Sequence, residues 1–260
     1  MDFITSDHVK LSYTDEGDGQ PVLLLDGIGS YREIWLPTKQ FLIEAGYRVI
    51  NLDARNQGAS QRTLKGRRIS RHAIDVQELL AHLEVNNVIG IGNSMGASTL
   101  FAYVSLFGTQ QFSALVDIDQ SPKMISDETW QYGFKGLTWE TFPAMLKFPL
   151  GSGTATPVSE EVRSKVQVAR QAHPYDAEEN YVCLVDHAFQ DWRDVLLGLQ
   201  VPLLVIAGGK SPYFDPKFAA ATAGLVPQGQ SQVINRSGHI VMAEQPAAFN
   251  DALSAFLKEL

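Results

Sequence analysis

The 260-residue chain predicts an α/β architecture, a mostly parallel sheet with helices on both faces, and three observations carry that prediction. Short, mainly apolar runs at 22–25, 48–52 and 201–207 have the length and composition of strands buried on both sides. Stretches with apolar residues at helical spacing alternate with them, the order that builds parallel pairing through crossovers. A Gly-Asn-Ser-Met-Gly turn at 92–96 joins one such run directly to one such helix.

In order, short strand candidates at 3–4 and 9–13 lead into a Gly/Asp turn at 16–19. A strand at 22–25 follows, then a helix from Trp35 to Ala45 that Gly46 closes, a residue free to take the left-handed conformation. The next strand is 48–52. Ser70 opens a helix with Ile74, Leu79, Leu80 and Leu83 on one face. A strand at 88–91, a helix at 94–106 and a strand at 114–118 complete this half. Residues 122–194 lack a buried strand and concentrate aromatics, so they read as an inserted helical cap interrupting a core of 1–121 and 195–260. Beyond the insert come a strand at 201–207, a helix near 216–224, a strand near 232–234 and one final helix over 243–260, which gives eight strands in all.

Composition narrows the function. A formal charge of −8 argues against nucleic acid and anionic membrane surfaces as partners. No apolar run approaches the ~18 residues of a membrane span. The N-terminus shows no basic region followed by a long apolar run, so a cytoplasmic location is expected. Cys183 is the sole cysteine, which excludes an intramolecular disulfide and a multi-cysteine metal site, and its apolar neighbours make it a packing residue. No metal or cofactor is expected, and the chain reads as a monomer or homodimer acting on a small molecule.

The chemistry concentrates at Ser94. In Gly92-Asn93-Ser94-Met95-Gly96 the serine lies between a strand and a helix, with small residues two positions before and after it. Such a turn is too tight for larger neighbours. It lifts the hydroxyl above the sheet edge at a helix N-terminus, where free N–H groups favour developing negative charge. A serine hydroxyl needs a base. Of the six histidines, His239 follows the last strand and so stands at the same edge of the sheet. His8, His72, His82, His173 and His187 have no such placement and read as surface or core residues.

Together, Leu25-Asp-Gly-Ile-Gly29, Asp53-Ala-Arg-Asn-Gln-Gly-Ala-Ser60, the serine turn, the run ending at Gly208 and Ser237-Gly-His239 come in an order and spacing that resemble the α/β-hydrolase superfamily along essentially the whole chain. The resemblance implies a nucleophile, an acid and a histidine in that chain order. It also implies an oxyanion hole from the N–H of Met95 and of Ile28 or Gly27, and a cap over 122–194. Each preset donor to an oxyanion contributes roughly 3 to 4 kcal/mol to the transition state. Where most relatives carry the acid, three residues after Gly208, this chain has Ser211. Asp119, fixed at the end of the sixth strand, is the preferred substitute, as in some relatives. Asp215 is the alternative, with capping of the helix at Pro216 as its structural role. Asp26, Gln57 and Asn93 stand where relatives commonly have histidine, and Asp26 would oppose an oxyanion unless paired or turned away.

The expectation is a serine hydrolase of a carboxylic ester or lactone, with Trp130, Tyr132, Trp139 and Phe142 lining an apolar substrate site. Carbon–carbon hydrolysis, perhydrolysis, acyl transfer and lyase chemistry use the same machinery. A binding protein that retains its ligand without turnover is the alternative from another class.

Overall fold

The computed structural model describes residues 1–260. Eight strands form one sheet: β1 (Asp2–Ile4), β2 (Lys10–Glu16), β3 (Pro21–Leu25), β4 (Arg48–Leu52), β5 (Val88–Asn93), β6 (Phe112–Ile118), β7 (Leu203–Gly208) and β8 (Gly229–Ile234). Their order is β1-β2-β4-β3-β5-β6-β7-β8, with β1 antiparallel to β2, β2 antiparallel to β4, and every later pairing parallel. The strand order reverses around β3, which has β4 on one side and β5 on the other. Such a switch point opens a crevice beyond the C-terminal strand ends.

The period-two alternation of the strands sorts the core into two layers. Leu23 and Leu25 of β3 face a layer with Val76, Leu79 and Leu80 of α2 (Ile69–His82) and Leu100 and Phe101 of α3 (Met95–Phe107). Val22 and Leu24 face the other layer, with Trp35, with Leu42 of α1 (Leu36–Glu44) and with Phe249, Leu253 and Phe256 near the C-terminus. Each fully buried aliphatic or aromatic side chain here contributes roughly 1.5–3 kcal/mol of transfer free energy.

The insert holds α4 (Glu160–Ala172) and α5 (Ala177–Phe189), and α6 (Arg193–Leu197) runs across residue 194 to pack on α3. Aspartate and serine caps start the two longer helices: Ser159 accepts from the Val162 N–H and Asp176 from the Glu179 N–H. After β7, α7 (Phe218–Ala223) leads to β8.

Two elements differ from the sequence reading. The final helix is two: α8 (Val241–Glu244) and α9 (Pro246–Leu257). Pro246 lacks an N–H to continue a helix and pushes Gln245 out of the helical region, to φ −133° and ψ 60°. β8 begins at Gly229, not near 232, because its first residues are polar and solvent-facing on the sheet edge.

Candidate active site

The loops after β3, β5, β6, β7 and β8 meet above the C-terminal strand ends. Ser94 is the sharpest feature there, with φ 55° and ψ −121°, a backbone conformation that costs about 1–3 kcal/mol where packing imposes it. The neighbouring glycines explain how it is imposed. A Cβ on Gly92 would come within 2.3 Å of the Ala97 nitrogen, and one on Gly96 within 2.3 Å of the Leu25 carbonyl oxygen. Only glycine at both places lets α3 start so close to β3 and β5. The Ser94 N–H donates to the Ile118 carbonyl at 2.9 Å, which ties the turn to β6.

Across the crevice, Nδ1 of His239 lies 2.7 Å from Oδ2 of Asp119. Asp119 is wholly buried. Its Oδ2 also accepts from the Ser211 hydroxyl at 2.6 Å, and its Oδ1 from the Gly208 N–H at 2.9 Å. With Nδ1–H donated to the carboxylate, Nε2 is left as the basic nitrogen of the ring. Asp215 takes no part. It is exposed, and it accepts from the Lys217 N–H at 2.9 Å in the turn before α7, which begins at Phe218 without a side-chain cap; the carboxylate paired with His239 is that of Asp119, and the capping role expected of Asp215 is corrected to a turn contact.

A further carboxyl, Asp117, lies buried two residues before Asp119. Burial, and then the charge of Asp119, push it well above the usual carboxylate range, so a neutral acid is favoured beside the paired anion. Around His239, Tyr213 presents an edge to the imidazole with centroids 4.7 Å apart. Glu244, which no sequence motif marks, holds the histidine loop: its carboxylate accepts from the N–H groups of Gly238 and Ile240. It also accepts from Ala155 and Thr156 of the insert, both at 2.8 Å, while the His239 N–H donates to the Gly153 carbonyl at 2.7 Å. The Gly/Ser/Thr stretch of the insert is thereby pinned over the histidine. A glutamate five residues past a loop histidine has no local sequence signature.

On the opposite side, Gly27 sits against the nucleophile turn, where a Cβ would stand 3.1 Å from that of Ser94. The N–H groups of Ile28 and Met95 have no acceptor within the protein. Asn93, Gln57 and Asp26 hold this frame. Asn93 donates to the carbonyls of Ile118 and His239, and Gln57 accepts from the Gly29 N–H. Asp26 accepts from the Trp35 indole N–H and so points away from the crevice. Burial, and then the neighbouring Asp53, push Asp26 well above the usual carboxylate range, which favours a neutral group rather than an opposing charge.

Ser94 and His239 open into one cavity of about 660 Å³. Its wall corrects the expectation for the aromatics: Trp130, Tyr132, Trp139 and Phe142 are all absent from it. Trp130 turns its N–H to the Ser121 hydroxyl and packs edge-on against Tyr132. Trp139 and Phe142 cluster with Phe189 on the outside of the insert. The apolar wall comes from Ile28, Met124, Phe134, Leu150, Leu184 and Tyr213, and from Val158, Val162 and Val166. Those valines recur every four residues in an otherwise charged stretch, a signal that the sequence did contain.

Residues 22–252 match the model of the alpha/beta hydrolase family. A non-heme haloperoxidase from Rhodococcus erythropolis is 25% identical, over 99% of this chain and 100% of its own. The 3-oxoadipate enol-lactonase 2 of Acinetobacter baylyi is 27% identical, over 99% of this chain and 96% of its own. Among solved structures, an esterase from Exiguobacterium antarcticum superposes with a TM-score of 0.86 at 23% identity, covering 99% of both chains. The sheet order, the strained serine turn and the match over most of its length place this chain in the alpha/beta hydrolase family.

Proposed function

We propose that the chain hydrolyses a carboxylic ester or lactone through an acyl-enzyme on Ser94, with His239 as base and Asp119 as the acid that orients it. The observation that carries this reading is the 2.7 Å Asp119–His239 contact facing the same cavity as the strained serine. In the first step Nε2 of His239 takes the Ser94 proton as the hydroxyl attacks the carbonyl. Asp119 holds the proton on Nδ1 and stabilises the imidazolium that forms. The N–H groups of Ile28 and Met95 receive the oxyanion, each contributing about 3 to 4 kcal/mol. His239 then protonates the leaving alcohol, and afterwards it activates the water that releases the acid. Residues 122–194 act as the cap that closes the cavity over the acyl-enzyme.

Passing the acyl group to hydrogen peroxide is the second reading, favoured by the haloperoxidase name of one relative. Intact mass after exposure to a fluorophosphonate, with turnover of short and medium acyl nitrophenyl esters, tests the first. One adduct and measurable turnover are expected in the wild type, both lost in Ser94→Ala. A folded wild type with neither would sink the mechanism, while peracid formed faster than carboxylic acid under peroxide would favour the second reading.

A further inference from the structure

The cavity that holds Ser94 and His239 has no aspartate or glutamate in its wall, in a chain with 29 acidic residues and a formal charge of −8. Its permanent charges are two arginines of α4. Val162 and Val166 face inward from this helix, and the neighbouring stripe of Arg163, Gln167 and Arg170 lines the same cavity while exposed, so it marks the opening. Arg163 pairs with Glu160 on its own helix. Arg170 has no carboxylate within ion-pair distance and makes no hydrogen bond within the protein; its guanidinium lies over the Tyr31 ring, 5.8 Å from the centroid. Tyr31 also lines the cavity, is 1% exposed, and is fixed by its hydroxyl, which donates to the His173 carbonyl at 3.0 Å. The stack ties this charge to the oxyanion loop. The Ser30 N–H donates to the Gly27 carbonyl at 3.2 Å, a turn that keeps the Cα of Tyr31 within about 11 Å of that of Gly27. Gly27 in turn sits against Ser94.

We propose that Arg170 is a specificity-determining residue, and that the ester or lactone substrate carries, away from its reacting carbonyl, a carboxylate that this guanidinium binds at the cavity opening. This rests on the hydrolase reading above. A guanidinium keeps its charge at working pH and offers a planar fork that a carboxylate meets with two parallel hydrogen bonds. Held on an aromatic face, it loses less freedom on binding than a loose surface side chain does. The net negative charge of the chain repels an anionic substrate, and the acid-free wall is where that repulsion is relieved. Binding the far end of the substrate then sets which of its carbons stands over Ser94. A cation in the last turn of α4 also suits the helix dipole, but one anywhere in that turn would serve, and the dipole explains neither the stack on Tyr31 nor the missing acids.

The test compares kcat/KM for matched pairs of esters. Monomethyl glutarate, adipate, pimelate and suberate are each set against the same methyl ester with a primary amide in place of the carboxylate, and 6-acetoxyhexanoate against its amide, in wild type, Arg170→Met and Arg170→Lys. The wild type is expected to prefer the carboxylate by about tenfold at one chain length, the share of one charge-assisted contact, and rising ionic strength narrows the preference. Arg170→Met pulls the ratio to about one, and Arg170→Lys, which keeps the charge without the fork, restores part of it. Each ratio is taken within one variant, so a loss of folded enzyme cancels. Wild-type ratios all at or below about twofold would overturn the proposal and leave the hydrolase reading intact, as would a preference that survives Arg170→Met. A wild type that cleaves plain nitrophenyl esters but no carboxylate-bearing ester overturns it equally. A wild type that turns over no ester at all removes the hydrolase reading, and this proposal with it.

Discussion

Oδ2 of Asp119 receives two donors, the His239 ring and the Ser211 hydroxyl, in a site closed to water. A carboxylate so held keeps one imidazole tautomer and one ring orientation. Replacing it with an amide retains the volume but offers the wrong hydrogen-bonding partner. Asp119→Asn is therefore expected to lower kcat by about 10³- to 10⁴-fold. Asp215→Ala should leave kcat within a small factor of wild type and cost about 0.5–1.5 kcal/mol of stability through the lost turn contact with the Lys217 N–H. Steady-state kinetics and urea denaturation on the two variants separate the roles, and the reverse ranking would move the acid to Asp215.

At the scale of elements, the junction of β5 and α3 carries the site. Gly92 and Gly96 allow backbone approaches of 2.3 Å to a would-be Cβ, contacts no side chain tolerates. Gly96→Ala must push α3 away from β3 and take Ser94 with it. The expected result is a loss of about 1–3 kcal/mol or more, a lowered melting temperature and a proportionally larger loss of turnover. An alanine variant with wild-type melting and turnover would contradict the packing described. This junction was legible in the sequence because steric demands at a tight turn restrict residue types over five consecutive positions. The buried parallel strands were legible for a similar reason, since being covered on both faces requires unbroken apolar runs. The first half of β8 was not, because an edge strand with exposed Gln230, Ser231 and Gln232 carries no such run. The cap aromatics misled because aromatic content says that a side chain will pack, but not against what. Trp139 and Phe142 found Phe189 rather than the cavity.

Across the whole molecule, buried ionisable groups of opposite kind tilt stability with pH in opposite directions. His72, like His187, is held down to about 3 from an ordinary 6.5, by burial first and then by the Arg55 charge. Between pH 6.5 and 3 the unfolded chain binds a proton that the folded chain refuses, so this contribution is full above pH 6.5 and is lost on acidification, by up to about 1.4 kcal/mol per pH unit. Asp26 and Asp117 are raised, so theirs is full below the ordinary 3.8 and is lost as pH rises through their folded values. Relative to wild type, His72→Gln should gain stability progressively from pH 6.5 towards pH 4. Asp26→Asn should show its largest advantage near pH 8 and a shrinking one towards pH 4. Urea titrations at three pH values check both signs.

β6 and β7 lie side by side in the sheet, with Ile118 paired to Ile206, so the residues that follow each strand stand over the same imidazole. Ser211 already touches the carboxylate whose office it would hold in most of the superfamily that the sequence resembles. The two positions form one exchangeable seat reached from adjacent strands. A lineage could pass the acid from one strand to the other by two substitutions, without moving the histidine, the nucleophile or any part of the backbone. Whichever substitution came first would set a constraint on the second, since two carboxylates or none would share the seat in between.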